Sequence, residues 1–432
     1  MLLARRRRSG SSVTDPMTPP QIPPPRPVPE AAARRVVLVR AFLLLALLGN
    51  TACAMSGQIQ ERTSRSSVSL GAAAQHRGRV YGSAVSQQAL EDRDFRSLLL
   101  QQVGSLTPEN GLKWEVVQPQ RGHFDFRQGD ALLRLARRHG LEMRGHTLVW
   151  GQQEPPWLQT VASSDLGPIL KAHIQMVVGH YRGQLRSWDV INEPISDDGS
   201  GLRRHRWWRA LGPEYIALAL EWAHQSDPGA RLLINEYGLE AETPAAATKR
   251  RGLLALLRQL QRRDVPLHGL GIQAHLQAGP APGRYDALAE FLKQVQALGL
   301  EIQITELDVD DRQLPGDPEL RDRVVAAEYD RFLAAVLSNP AVRQVTTWGL
   351  SDRYTWLNSQ APRPDGRGQR ALPFDEALQA KRAVAVMRER FTRATSATVS
   401  RGDRIATEQS TQKEADGIER ADAVLLQQGI LR

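Results

Sequence analysis

The sequence has very little cysteine: Cys53 is the only one in 432 residues. A single cysteine excludes an intramolecular disulfide and a zinc site built from several thiolates. A chain of this length does not need a disulfide or a structural metal for stability, because it can bury a large hydrophobic core. Its overall composition is that of an ordinary globular protein. Its length allows one large domain plus tails, or two or three small domains.

The chain also lacks the charge distribution that nucleic-acid binding needs, although its formal net charge is +9. Residues 1–76 hold ten arginines and three acidic residues, so +7 of the +9 is concentrated there. The rest of the chain is nearly neutral, with both signs mixed. Nucleic acid is therefore not an expected partner.

No apolar run makes a comfortable membrane span. Residues 34–54 read RRVVLVRAFLLLALLGNTACA, with basic residues first, a short apolar run at 41–48 and an A-x-A pattern at 52–54. This order predicts a secretory signal, and the apolar run is too short to span a bilayer. We expect a secreted or periplasmic protein with no integral span after processing. A buried helix is the alternative, which the flanking Pro-rich and polar segments disfavour.

Cys53 stands where the lipidated cysteine of a lipoprotein stands, although Asn50 is a poor residue three positions before it. Lipidation at Cys53 is therefore an alternative to release. The 33 residues upstream of the signal-like segment are unusually rich in Arg and Pro, so Met17 or a later codon is an alternative start.

The composition divides the chain into four parts. We assign 1–54 to an Arg/Pro-rich extension with the signal-like segment, 55–75 to a Ser/Gln/Ala-rich linker, 76–394 to the folded domain, and 395–432 to a polar C-terminal tail.

Short β-like segments alternate with longer helical segments between residues 76 and 394. This alternation predicts an α/β fold, a (β/α)₈ TIM barrel. A doubly wound sheet is the alternative, but the residues after the first strand do not form its Gly-rich turn. The predicted strands are 80–85, 103–107, 142–149, 185–191, 231–235, 269–274, 301–305 and 345–349. The predicted helices include 129–139, 170–181, 215–225, 247–262, 285–297 and 322–337.

Chemically active side chains follow seven of the eight predicted strands. A barrel of this type places its active site at the carboxyl ends of its strands, so these residues predict one site. In strand order from the second strand, they are Glu109 and Asn110; His146 and Trp150; Asn192 and Glu193; Asn235 and Glu236; Gln273 and His275; Glu306 and Asp308; and Trp348.

Glu193 and Glu306 are the best pair of catalytic carboxyl groups, since each follows a β-like run. Cleavage of a glycosidic bond needs one carboxyl to protonate the leaving oxygen and another to attack the anomeric carbon or activate water. His275, steadied by Asp308, would keep Glu306 ionised. The alternatives are a salt bridge for either glutamate, a core position for His275 and a helix N-cap for Asp308.

Tryptophans at predicted strand ends suit a sugar-binding cleft. Trp150, Trp348 and Trp356 would offer flat faces to pyranose rings, whereas Trp188 and Trp222 fit the core better. The segment TPENGLKW (107–114) places Glu109, Asn110 and Lys113 where they would grip sugar hydroxyls. A helix N-terminus with a solvated lysine is the alternative there.

Six motifs in this order and spacing resemble those of glycoside hydrolase family 10 endo-β-1,4-xylanases. The resemblance covers about 76–394, and LPFDEALQAKRA (372–383) is similar to the closing segment of the family. The motifs are TPENGLKW (107–114), RGHTLVW (144–150), WDVINEP (188–194), GLGIQAHL (269–276), ITELDV (304–309) and WGLSDRYTWL (348–357).

The resemblance implies retaining endo-hydrolysis of xylan, with Glu193 as acid/base and Glu306 as nucleophile. It implies that His275 and Asp308 orient the nucleophile. Retention requires the two catalytic carboxyl groups to lie about 5–5.5 Å apart. We expect a monomer with xylan or xylo-oligosaccharide as partner, no cofactor and no metal. The implied substrate-binding residues are Glu109, Asn110, Lys113, His146, Trp150, Gln153, Asn192, Gln273, Trp348 and Trp356.

Four positions depart from the family pattern without removing a catalytic group. Gly151 replaces the usual His, Glu236 and Gly238 replace the usual Asp and Asn, and Arg353 replaces a common Lys. The two glycines delete side chains near the predicted cleft. They bear on subsite contacts and chain-length preference, not on the reaction.

Three other functions are consistent with parts of this pattern. A β-1,4-glucanase or mixed xylan/cellulose hydrolase would use the same barrel, because one added CH₂OH group discriminates only modestly. A non-catalytic glycan-binding barrel is disfavoured by the presence of both carboxylates. A metal-dependent hydrolase using His146, His275, Glu306 and Asp308 lacks the H-x-H or HExxH spacing of such sites.

Overall fold

The computed structural model describes residues 68–393, and within them parallel strands close into a barrel. The strands are β1 (Val80–Val85), β2 (Ser105–Pro108), β3 (Glu142–Val149), β4 (Ser187–Asn192), β5 (Arg231–Glu236), β6 (Gly269–Ile272), β7 (His275–Gln277), β8 (Glu301–Asp310) and β9 (Val342–Thr347). The predicted signal-like segment with Cys53 and the predicted tail at 395–432 lie outside the described residues.

Parallel pairing runs from β1 through β6, then from β6 to β8, β8 to β9 and β9 back to β1. β7 follows β6 after a two-residue break and also pairs with β8. Within the described range the ring therefore holds eight strands, with β6 and β7 as two parts of one. The predicted (β/α)₈ barrel is confirmed.

Helices surround the barrel and bury apolar faces against it. In α5, for example, Gly129, Leu132, Leu133 and Ala136 are buried, which is the spacing of one helical face. The helices are α1 (Leu70–Gln75), α2 (Gln87–Glu91), α3 (Arg93–Gln102), α4 (Trp114–Val117), α5 (Arg127–Arg138), α6 (Ser163–His180), α7 (Arg206–Leu211), α8 (Tyr215–Ser226), α9 (Pro244–Arg262), α10 (Asp286–Ala297), α11 (Pro318–Leu337), α12 (Leu357–Gln360) and α13 (Arg382–Thr392). Short 3₁₀ turns lie at Pro156–Thr160, Gly212–Glu214 and Asp352–Tyr354.

Four predicted strands, 103–107, 185–191, 231–235 and 345–349, differ from the observed β2, β4, β5 and β9 by one to three residues at their ends. Two other predicted strands differ for an identifiable structural reason. The predicted strand 269–274 is broken because Ala274 has a left-handed backbone (φ 64°), which no regular strand adopts. The predicted strand 301–305 continues to Asp310, because residues 308–310 pair with β7.

The predicted linker 55–75 ends too late. Its last residues form α1, in which Leu70, Ala73 and Ala74 are buried. This helix packs against α13, and the Arg388 side chain donates a hydrogen bond of 2.7 Å to the carbonyl of Val68. The folded domain therefore begins before residue 76, held by a partner more than 300 residues away.

The described helices contain no segment that is both long and apolar enough to cross a membrane. Trp188 is fully buried, as predicted, and Trp222 is partly buried against the core.

Gly145 of β3 lies against the buried indole of Trp188, so an added methyl group would overlap that ring. We expect Gly145→Ala to lower the free energy of unfolding by about 1–3 kcal/mol, the usual cost of overpacking. Urea unfolding followed by tryptophan fluorescence measures this change. Gly179→Ala in α6 is the control: nothing lies within 4 Å of its added Cβ, so its stability should match or exceed that of the parent. Equal stability of the two variants would contradict the prediction.

Candidate active site

A cleft of about 690 Å³ opens at the carboxyl ends of the barrel strands. The predicted site residues line it except for three. Asp308 is buried directly behind His275, and the strand-end residues Asn235 and Glu236 are buried outside the lining. The lining residues are Glu109, Asn110, Lys113, His146, Trp150, Gln152, Gln153, Asn192, Glu193, Tyr237, Gln273, His275, Glu306, Trp348, Trp356, Ser359 and Gln360.

Glu193 follows the last residue of β4 and adopts a left-handed backbone, with φ of 56°. Its N–H donates to the carbonyl of Asn235 at 2.8 Å. Its Oε1 accepts hydrogen bonds from the amides of Asn192 and Gln273, each at 3.2 Å. The carboxyl group is therefore held by neutral amide donors at the wall of the cleft.

Glu306 lies within β8 and is almost completely buried. Its Oε1 accepts a hydrogen bond of 2.7 Å from the Asn235 amide, and its Oε2 lies 3.3 Å from Nε2 of His275. Burial alone would raise the pKa of Glu306, but the His275 and Asn235 interactions outweigh it and lower the pKa to about 2. Glu306 is thus an ionised carboxylate throughout the ordinary pH range.

His275 lies between two carboxylates. Its Nδ1 is 3.0 Å from Oδ1 of Asp308, and its Nε2 faces Glu306. Burial disfavours the charged ring, yet the adjacent carboxylates raise the pKa of His275 well above its usual value. An imidazolium donates from both nitrogens, which satisfies both acceptors at once.

A second histidine supports the same carboxylate from β3. Nδ1 of His146 lies 2.9 Å from Oδ2 of Asp189 and 4.0 Å from Oε1 of Glu306. Asp189 also forms a fully buried ion pair with Arg144. The ring of His146 is thereby fixed at the base of the cleft.

A polar cluster follows β2 and meets the loop after β3. Nζ of Lys113 donates to Asn110 at 2.9 Å and to Gln153 at 2.7 Å. Burial lowers the pKa of Lys113 and raises the pKa of Glu109. The attraction between the two opposite charges opposes both of these shifts. Donors and acceptors are thus fixed close together at one place in the cleft.

Tryptophan rings form walls of the cleft. The ring of Trp348 meets His146 edge to face at 5.2 Å, and Trp356 lies 5.1 Å from the ring of His275. Nε1 of Trp356 donates to Oδ2 of Asp308 at 2.7 Å. This hydrogen bond links the aromatic wall to the support of Glu306.

The predicted site omits four cleft residues, Gln152, Tyr237, Ser359 and Gln360. Asn235, which was predicted at a strand end, does not line the cleft but joins Asn192 to Glu306. The strand-end signal that identified the other residues applies equally to Tyr237, which follows β5 directly. Ser359 and Gln360 lie on α12, away from any strand end, and carry no such signal.

Within residues 68–393 no group of three or more His, Cys, Asp or Glu side chains is arranged to hold a metal ion. His275, Glu306 and Asp308 instead hydrogen-bond to one another.

A sequence model for glycosyl hydrolase family 10 matches residues 69–390. The chain belongs to this family. The β-1,4-xylanase of Dictyoglomus thermophilum is 37% identical over 312 residues, covering 70% of this chain and 85% of that protein. Endo-1,4-β-xylanase A of Phanerodontia chrysosporium is 36% identical over 319 residues, covering 72% of this chain and 74% of that protein.

Solved structures of the family share the barrel. Native xylanase 10B of Thermotoga maritima superposes with a TM-score of 0.69 at 31% identity, covering 75% of this chain and 98% of that one. Xylanase 10B of Thermotoga petrophila RKU-1, in complex with xylobiose, gives the same TM-score at 30% identity, covering 75% and 97%.

The structure shows the surroundings of three of the positions at which this family 10 chain departs from the family pattern. A Cβ at Gly151 would lie 2.8 Å from Cβ of His205, so His205 occupies the space beside that glycine. Gly238 has a φ of 70°, a conformation that glycine and asparagine both adopt readily. Arg353 pairs with Asp92 at 2.7 Å and does not line the cleft.

His275→Ala should move the acidic limb of the pH profile upward. Without the imidazolium, the pKa of Glu306 rises from about 2 towards the usual 4.5, so the carboxylate becomes protonated at a higher pH. Measuring kcat/KM against pH on 4-nitrophenyl β-xylobioside tests this. His123→Ala, an exposed histidine outside the cleft, is the control. An unchanged acidic limb in His275→Ala would refute this role of the histidine.

Proposed function

We propose that this family 10 enzyme hydrolyses internal β-1,4-xylosidic bonds of xylan with retention of configuration. One observation carries the proposal: two buried carboxyl groups from β4 and β8 line one cleft in different surroundings. Glu306 faces a charged histidine, whereas Glu193 faces neutral amides. Two environments suit two roles, a nucleophile and an acid/base.

In the first step an oxygen of Glu306 attacks the anomeric carbon while Glu193 donates its proton to the departing glycosidic oxygen. The C–O bond to the leaving sugar breaks, and an ester forms between the sugar and Glu306. The pKa of about 2 keeps Glu306 ionised for this attack. The amides of Asn192 and Gln273 hold the Glu193 carboxyl in the cleft.

In the second step Glu193, now a carboxylate, takes a proton from water as the water oxygen attacks the anomeric carbon. The ester bond breaks and Glu306 leaves as a carboxylate, so two inversions give net retention. His275 stabilises the negative charge that returns to Glu306, and Asp308 holds this histidine in place and keeps it charged.

We assign the grip on the non-reducing-side xylose units to Glu109, Asn110, Lys113 and Gln153, which form a hydrogen-bonded cluster. His146, Asn192 and Gln273 would contact the sugar at the cleaved bond. Trp150, Trp348 and Trp356 would stack on or enclose pyranose rings. The xylobiose bound to the Thermotoga petrophila enzyme supports a xylo-oligosaccharide ligand.

Glu306→Ala should lose at least about 10⁴-fold in kcat on birch xylan, because the covalent step has no nucleophile. Product release measured by reducing ends tests the loss, and NMR of the first product of the parent enzyme tests retention. Normal turnover by the variant, or an inverted first product, would reject the mechanism. Glu301→Gln is the control, since this β8 residue pairs with Arg231 outside the cleft. A higher rate on carboxymethylcellulose than on xylan would favour a glucanase instead.

We also propose that the chain is exported as a monomer and cleaved after the A-x-A pattern at 52–54. The signal-like order of residues 34–54 supports export. Each copy carries all of the proposed catalytic groups, which agrees with a monomer.

Export predicts a mature N-terminus close to residue 55, measured by mass spectrometry of the protein from the producing cell. Labelling with a palmitate analogue that Cys53→Ser abolishes would show the lipidated form instead. Recovery of the unprocessed chain would contradict export.

A further inference from the structure

Two charged residues are buried behind the loop that carries Glu193 and do not line the cleft. Glu236 is the last residue of β5 and is fully buried. Lys249 lies in α9, also buried, with its Nζ 3.0 Å from Oε1 of Glu236. A buried ion pair is weak evidence for stability alone, so its placement calls for another reason.

Glu236 connects two elements of the cleft. Its Oε2 accepts a hydrogen bond of 2.9 Å from the N–H of Ile195, two residues after Glu193. Its Oε1 accepts one of 3.0 Å from the N–H of Tyr237, a residue of the cleft wall. Nζ of Lys249 lies 3.7 Å from the centre of the Tyr237 ring. One carboxylate thus fixes the acid/base loop relative to the adjacent wall.

The backbone of Glu193 needs such an anchor, because a non-glycine residue in the left-handed region is strained. Arg203 holds the carbonyls of Glu193 and Ile195, at 3.2 and 3.0 Å. Glu236 holds the N–H of Ile195. The Arg203 side chain therefore binds two carbonyl groups of this loop, and the Glu236 carboxylate binds one of its N–H groups.

We propose that Glu236, with Lys249 as its counter-charge, is a positioning residue that aims the carboxyl group of Glu193 for proton transfer to the leaving group. This inference rests on the proposed role of Glu193. Burial raises the pKa of Glu236 to about 7, although the charge of Lys249 and the N–H of Ile195 oppose the rise, so Glu236 is the carboxylate that both N–H groups require above about that pH. Glu236 acts through the backbone and touches no substrate.

Glutamine cannot reproduce these contacts. One oxygen of the carboxylate accepts from the N–H of Ile195, and the other accepts from the N–H of Tyr237 and forms the ion pair with Lys249. A glutamine amide has a single oxygen, so its NH₂ group must face at least one of these donors. Glu236→Gln therefore keeps the side-chain volume and releases one anchor.

The leaving group reports proton donation directly. A 2,4-dinitrophenolate departs without a proton, whereas an unsubstituted phenol leaves quickly only when Glu193 protonates it. We expect Glu236→Gln to lower kcat/KM on phenyl β-xylobioside at least about tenfold and to change kcat/KM on 2,4-dinitrophenyl β-xylobioside less than about twofold. The ratio of the two values is the measurement. An equal loss on both substrates, or no loss on either, would overturn the proposal.

Two further variants separate positioning from general damage. Glu236→Asp keeps both oxygens and the charge, so it should restore the parent ratio. Glu328→Gln is the matched control, because Glu328 is a buried carboxylate that pairs with Arg331 and accepts from the N–H of Gly283 away from the cleft. It should leave the ratio unchanged. The proposal would be contradicted if Glu328→Gln changed the ratio of the two kcat/KM values. It would also be contradicted if Glu236→Asp had the same ratio as Glu236→Gln.

Glu193→Ala distinguishes failure of this inference from failure of the proposed function. It must itself lose activity on phenyl β-xylobioside far more than on the dinitrophenyl substrate. If it does not, the acid/base assignment is wrong. If it does and Glu236→Gln does not, only the positioning role is wrong.

Discussion

The negative charge of Glu306 is the constraint on which the barrel mouth depends. A buried carboxylate is costly unless positive charge and hydrogen-bond donors compensate it. His275 supplies the charge, and Asp308 holds that histidine at 3.0 Å. Asp308 in turn accepts from Nε1 of Trp356. One electrostatic requirement therefore fixes a histidine of β7, a carboxylate of β8 and part of the cleft wall.

The strands between the two catalytic carboxyl groups supply the network that holds both. Asn235 of β5 donates to Glu306 at 2.7 Å and to Asn192 at 2.8 Å. Asn192 and Gln273, at the ends of β4 and β6, then donate to Glu193. Neutral amides thus connect the carboxyl groups of the two glutamates. The closed ring makes this arrangement possible, because it brings the ends of consecutive strands around one opening.

The sequence predicted the barrel and the strand-end residues because both follow from local patterns, namely the β/α alternation and polar residues after apolar runs. Asp308 shows the limit of such patterns: a helix N-cap was equally consistent, and only the pairing of β7 with β8 brings it beside His275. The break at Ala274, the packing of α1 against α13 and the Glu236–Lys249 pair likewise depend on contacts between distant segments. No local pattern encodes those contacts.

Left-handed backbone conformations orient the side chains of the cleft, in addition to the positions of the strand ends. Gln153, Glu193 and Ala274 all have left-handed backbones at the cleft, with φ of 47°, 56° and 64°. Non-glycine residues keep such conformations only where their surroundings hold them, at a cost of about 1–3 kcal/mol each. Here buried carboxylates outside the cleft lining hold the backbone. Glu240 accepts a hydrogen bond of 2.9 Å from the N–H of Ala274, and Glu236 accepts one from the N–H of Ile195. Two buried carboxylates, Glu236 at the end of β5 and Glu240 in the following loop, thus hold the backbone near both catalytic carboxyl groups. Ala274 lies between Gln273, which binds Glu193, and His275, which binds Glu306.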